Sequence, residues 1–276
     1  MLSITYLFAE VEEHHEHVGS SQIKFNYENL SFTDSKQKDK GRRYGVEMDY
    51  QSDKHHMQVY VEHTDTQTKP NVPKDLSVNK YSFKYQYQLS KGNVVTLSYL
   101  GIDDNLMDEV DDGKIVGLGY KYKGLQFTQY ISDYKNFNVY QSDVQLSKKM
   151  AFDDVLLKGA VAGKYMYLQN RLSNPFTQKT KKEYFTAGLK LHADYEAWHI
   201  GAGMYAGERI FAVMNNGMKV QHHAMSFDRS FMFLVGREFD DVLVQLRYAT
   251  HDANEIPIDN ENVGIETWSV EVSYKF

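Results

Sequence analysis

Residues 266–276 read Glu-Thr-Trp-Ser-Val-Glu-Val-Ser-Tyr-Lys-Phe. Trp268, Val270, Val272, Tyr274 and Phe276 occupy one set of alternate positions. Thr267, Ser269, Glu271, Ser273 and Lys275 occupy the other. A strand sends successive side chains to opposite faces, so this stretch has one wholly apolar face and one wholly polar face. An aromatic ring closes the apolar face at each end. Such a strand must lie between two different media.

The same period of two recurs along the chain. Ile23, Phe25 and Tyr27 alternate with Lys24, Asn26 and Glu28; Tyr44, Val46, Met48 and Tyr50 alternate with Arg43, Gly45, Glu47 and Asp49. The clearest case sets Tyr81, Phe83, Tyr85, Tyr87 and Leu89 against Ser82, Lys84, Gln86 and Gln88. Comparable segments surround Val59, Leu97, Leu118, Leu125, Tyr140, Val161, Leu189, Ile200, Phe231 and Leu246, and Phe227 falls with the apolar set of its segment. This predicts about fourteen strands of roughly ten residues, the length a tilted strand needs to cross a bilayer. Tight turns (52–54, 90–93, 123–124, 152–154, 194–196, 238–241) alternate with longer connections such as 64–79, 103–113, 171–182, 209–223 and 252–264. No helical period competes. No run of roughly eighteen apolar residues offers a transmembrane helix. The mean hydropathy of −0.57 is what two alternating faces average to.

From Trp268 to Phe276, at roughly 3.3 Å per residue and a tilt of about 40°, the terminal rings stand about 20 Å apart in height. Membrane barrels carry an apolar band roughly 25 Å tall between aromatic girdles. With Tyr274-Lys275-Phe276 as its last residues, the chain resembles the bacterial outer-membrane β-barrel proteins, porin-like and of about fourteen strands. The resemblance implies an all-β, closed antiparallel transmembrane barrel over residues 21–276, with short periplasmic turns and longer extracellular loops. It implies Tyr274 and Phe276 as the signal read by the barrel-insertion machinery. It also implies a monomeric or weakly associated passive channel in the outer membrane for small hydrophilic solutes, without a cofactor.

In lipid every backbone amide needs a partner inside the protein, so the sheet must close. The outward residues are then satisfied by hydrocarbon, and the inward ones need water or each other. The pore-lining set expected from the alternation is Arg43, Glu47, Asp49, Glu62, Lys84, Lys121, Asp143, Lys158, Lys190, Arg247 and Glu271. Those charges either polarise a pore or pair across it. Residues 209–223 are unusually apolar for an exterior loop. They are expected either to fold into the mouth as a constriction, with Phe211, Met214, Asn215 and Met218 at its centre, or to cap the barrel from outside.

Other candidates are weaker. Residues 1–9 read as the tail of a signal peptide ending at Ala9, and residues 10–20 form a His/Glu-rich tail with His14, His15 and His17. The spacing of those histidines fits no fixed metal geometry. Asp103, Asp104, Asp108, Glu109, Asp111 and Asp112 depart from a calcium loop, since Met107 stands where an oxygen ligand belongs. No metal is therefore assigned. Lys36, Lys38, Lys40, Arg42 and Arg43 form a basic cluster, as do Lys179, Lys181 and Lys182, suited to lipopolysaccharide phosphates or to guiding anions. His222, His223, Ser226 and Asp228 are the raw material for an enzyme acting on lipids at the barrel rim, but no G-x-S-x-G or H-E-x-x-H accompanies them. A structural or adhesin barrel with a blocked lumen is the further alternative. A net charge of −6 argues against nucleic acid, and the absence of Cys removes disulfides and thiolate chemistry.

Overall fold

The computed structural model describes residues 19–172, 177, 179–223 and 225–276. The leader and the His/Glu tail expected at the N-terminus lie outside the described residues, apart from Gly19 and Ser20. Fourteen strands close into one antiparallel barrel. They are Ser20–Thr33 (β1), Lys38–Ser52 (β2), His55–Thr68 (β3), Leu76–Ser90 (β4), Asn93–Asp104 (β5), Lys114–Tyr122 (β6) and Leu125–Asp133 (β7). Phe137–Phe152 (β8), Val155–Asn170 (β9), Glu183–Tyr195 (β10) and Trp198–Arg209 (β11) follow. Two short strands, Val213–Met214 (β12) and Lys219–Val220 (β13), pair only with each other. Met225–Phe239 (β14), Val242–Glu255 (β15) and Asn260–Lys275 (β16) complete the wall.

Each strand pairs with its neighbour in sequence, except that β11 pairs with β14 across the excursion containing β12 and β13. β16 closes the barrel on β1, with Val272 opposite Phe25. The seam ends in a reciprocal pair of hydrogen bonds, Phe276 N–H to Ser21 O (2.9 Å) and Ser21 N–H to Phe276 O (3.2 Å). The tight turns all lie at the end of the barrel where β1 begins and β16 ends, and each has two residues between its strands. A left-handed residue such as Asp53, Asp153 or Asp240 reverses the chain there, a conformation Asp tolerates.

The outer wall explains the alternation. Phe25, Met48, Val61, Phe83, Leu97, Leu118, Leu146, Val161, Leu191, Ile200, Phe233, Leu246 and Val270 all point outward and are exposed. A continuous apolar surface of this extent belongs against hydrocarbon. Aromatic pairs rim it, with Tyr27–Tyr44 (5.3 Å between centroids) and Tyr248–Trp268 (4.7 Å) toward the long connections and Tyr274–Phe276 (6.0 Å) near the short turns. Trp268 is 62% exposed and Phe276 71%, although both are among the largest apolar side chains of the protein.

The interior differs from the wholly polar lumen expected. In the half nearer the short turns the inward residues are mostly polar, with Val94 and Leu243 among the exceptions. In the other half apolar residues join the polar ones: Leu30 and Phe32 on β1, Leu76 and Val78 on β4, Leu100 and Ile102 on β5, Phe137 and Val139 on β8, Met166 and Leu168 on β9. These pack inward, beside buried polar groups such as Thr64, Thr66, His251 and Glu255. Their outward neighbours there, such as Ser77, Asp103 and Gln169, are polar. Above the lipid the outside meets water and the inside packs, so the alternation inverts its phase. For this reason β3 and β4 reach into the connection expected over 64–79, leaving only residues 69–75 between them. A register shift between Phe227 and Arg229 turns Phe227 inward, against its expected place with Phe231 and Phe233. The basic cluster expected at an exterior loop is divided: Lys38 and Arg43 are buried inside the barrel, while Lys36, Lys40 and Arg42 stay exposed.

Candidate functional site

Cross-strand register builds the polar half of the interior. Glu28 lies opposite Arg43, and Glu62 opposite Lys80. Arg43 bridges the two carboxylates, with Nη1 2.9 Å from Glu28 Oε2 and Nε 3.3 Å from Glu62 Oε1. Lys80 Nζ is 2.9 Å from Glu62 Oε1, and Tyr60 donates its hydroxyl to Glu62 Oε2 at 2.9 Å. Lys24 and Glu47, also opposite one another, pair at 3.0 Å, and Arg247 lies 3.7 Å from Glu271. Asp49 is held by His56 (2.7 Å) and Gln58 (2.5 Å). Across the barrel Asp143 pairs with Lys164, and Lys158 reaches Asp194 at 2.5 Å. Every pore-lining residue expected from the sequence faces inward, Lys84, Lys121 and Lys190 included. Many of them pair into networks along the wall, a bracing role that polar alternation alone leaves undecided.

Residues 210–223 run into this interior and not over its mouth. β12 and β13 form an inner hairpin, with Val213 opposite Val220 and Met214 opposite Lys219. Its tip, Asn215-Asn216-Gly217, is left-handed throughout. Gly217 (φ 94°) sits there against Ser98 and Tyr130, where a side chain would collide. Gln141 clasps the hairpin backbone from both sides, donating to Val213 O at 2.8 Å and accepting from Val213 N–H at 2.7 Å. Lys164 donates to the same carbonyl at 3.1 Å, and Ser82 donates to Met218 O at 2.8 Å. Lys219 places its ammonium between Glu28 (3.9 Å) and Glu62 (3.8 Å), over the Tyr60 ring.

The four expected constriction residues all lie inside the barrel. Phe211, itself left-handed, packs against Tyr134 and Phe137 at 5.6 and 5.0 Å; Met214 joins the apolar cluster, Met218 is buried beside the tip, and Asn215 stands at the tip. At the root of the segment Arg209 is fully buried between the Tyr205 and Phe227 rings and donates to Gln221 (3.0 Å) and Ser230. Beside the tip a cavity of about 10 Å³ lies among Thr128, Asp143, Lys164, Lys190 and Asn216, room for about one water. Glu28 and Lys80 share the polar alternation but lie outside the expected pore-lining set, and Lys219 comes from a loop whose inward path no periodicity records.

His222 and His223 follow the hairpin with their rings tilted by 40° and 4.2 Å apart between centroids; His222 is buried and His223 half-buried. His222 Nε2 lies 3.3 Å from Asp104 Oδ2. Burial, with the nearby Lys80 and Lys38, pushes His222 down to about 4 against the opposing pull of Asp104; burial also holds His223 well below the usual range. Both rings face the interior, not the lipid rim that an enzyme acting on lipids requires. Ser226 turns to Asp228 at 3.5 Å. Two carboxylates of the acidic loop brace its own backbone. Asp104 accepts the N–H groups of Leu106 and Met107, and Asp111 accepts that of Asp104, each at 2.8 Å.

Geometry therefore defines a fourteen-stranded, apolar-belted barrel whose interior holds an inward-folded segment bonded to its wall. Among solved structures the chain is similar to the outer membrane protein Omp33 of Acinetobacter baumannii, at 9% identity and a TM-score of 0.55, over 93% of this chain and 99% of that one. It is also similar to Pseudomonas aeruginosa OccK8 (OprE), at 11% identity and a TM-score of 0.44, over 94% and 98% of the two chains. The likeness to Omp33 is one of fold. No protein-family model matches the sequence. No curated protein matches it either.

Proposed function

We propose that this protein is a bacterial outer-membrane channel for small hydrophilic solutes or ions, with the inner hairpin as its constriction. The observation that carries the reading is the hairpin itself, an apolar segment anchored at mid-barrel by Ser82, Gln141, Lys164 and the Glu28–Glu62 pair. It stands above a short-turn half lined with mixed charge. In this reading the short turns face the periplasm, and the exposed Lys36, Lys40 and Arg42 meet lipopolysaccharide outside. Tyr274 and Phe276 present the closing strand to the insertion machinery, and the barrel works as a monomer. The decisive measurement is single-channel recording in a planar bilayer, on the intact chain and on a variant lacking residues 212–220. A small conductance that rises several-fold on deletion is expected. An open channel unchanged by deletion removes the constriction, and silence from both variants removes the channel. The apolar packing in the long-loop half favours a second reading, a structural barrel with a blocked lumen, and silence is its expected result.

A further inference from the structure

Near the short turns, away from the inner hairpin, two imidazoles converge on one carboxylate oxygen. His192 Nε2 is 2.5 Å from Asp194 Oδ1, and His199 Nδ1 is 2.8 Å from the same atom. The three candidate ligand atoms lie within 4.8 Å of one another. We propose that His192, Asp194 and His199 form a binding site for a divalent transition ion of the zinc class.

The backbone sets the three side chains rigidly. Asp194 and His199 are direct cross-strand partners on β10 and β11, and His192 lies two residues before Asp194 on the same face. The strands are joined by the two-residue turn Glu196-Ala197. A tetrahedral site with bonds of about 2.0–2.1 Å places its ligand atoms about 3.3 Å apart. The separations to Asp194 Oδ1 need to widen by less than about 1 Å to admit the ion.

The surrounding groups orient this set as metal sites require. Lys158 binds the other carboxylate oxygen, Oδ2, at 2.5 Å, so Asp194 presents Oδ1 alone and binds through one atom. Glu238 Oε2 lies 3.7 Å from His199 Nε2, on the far side of that ring. A carboxylate there favours the proton on Nε2 and leaves the Nδ1 lone pair for a metal, the usual carboxylate–histidine–metal order. Two imidazole nitrogens and one carboxylate suit zinc, cobalt or nickel, whereas calcium and magnesium take mainly oxygen. Three protein ligands leave a fourth position open to water in the lumen. The competing account is a metal-free cluster in which both rings donate to Asp194.

Metal uptake separates the two accounts without reference to conductance, so it stands apart from the channel reading. The experiment uses the full chain in detergent micelles with His14, His15 and His17 replaced by Ala, which removes the N-terminal imidazoles from the count. Cobalt(II) is followed by its visible absorption, and zinc by competition with a chromophoric chelator. Uptake of about one equivalent is expected, weakened at least roughly tenfold by His192→Ala, His199→Ala or Asp194→Asn. No uptake by the tail-substituted chain overturns the proposal, as does affinity unchanged in the three variants. Assembly of each variant is checked by circular dichroism. If the alanine variants do not assemble, Asp194→Asn decides alone.

Discussion

Glu62 receives Arg43, Lys80 and Lys219 from three directions, on β2, on β4 and on the inner hairpin. Breaking a buried pair from one side leaves uncompensated charge and costs about 3–5 kcal/mol, more than the intact pair contributes in net stability. Glu62→Gln removes the negative member and leaves three cations facing Glu28 alone. The substitution is expected to lower the midpoint of urea unfolding in detergent, with a loss of that size. Glu62→Gln combined with Lys80→Met should recover part of it. An unchanged midpoint for the single variant would show that solvent, not Glu62, neutralises these cations.

At the scale of an element, the inner hairpin and the connection carrying His222 and His223 respond to acid. His222 titrates at about 4 when packed, against an ordinary value of 6.5, so the packed state holds fewer protons between those limits. Packing of this segment is therefore complete above about pH 6.5 and weakens as pH falls toward 4. Lys38, Lys80 and Arg43 oppose a charged imidazole there, and Asp104 favours it. Hydrogen exchange of Val213 N–H should accelerate from pH 7.5 to pH 4.5 beyond its intrinsic pH trend. The excess should disappear in a variant carrying His222→Gln and His223→Gln; the same excess in both proteins would exclude the histidines as its cause. Elements were unequally legible in the sequence. Strands around Phe83, Leu118 and Val270 announce themselves because lipid fixes their phase and the tight turns mark their ends. The long-loop ends of β3, β4, β5 and β9 did not, because leaving the lipid exchanges the apolar and polar sides. Pore-lining side chains such as Glu47 and Lys190 could be placed by parity alone. Lys219 could not, since it arrives from a connection, and the His192–Asp194–His199 cluster is visible only once two strands are in register.

For the molecule as a whole, the belt is what commits the fold to a membrane. Leu118 stands near the middle of the belt on β6, 58% exposed. An arginine at the bilayer midplane of such a barrel costs about 2–4 kcal/mol. Leu118→Arg is expected to destabilise the barrel by that amount when unfolding is measured in lipid vesicles. Gln126→Arg, on the inward face of β7, should cost under about 1 kcal/mol. Equal losses would mean that the two faces do not meet different media.

The β1–β16 seam also dictates how this cylinder comes into being. Every other wall contact joins strands that follow one another, or that flank the inner hairpin, so a growing ribbon can acquire them one after another. Closure alone brings together the first and last strands of the wall, down to Ser21 and Phe276. Until β16 is in place the ribbon has two bare borders that hydrocarbon cannot satisfy. Entry into the bilayer and completion of the ring are thereby tied to a single late event.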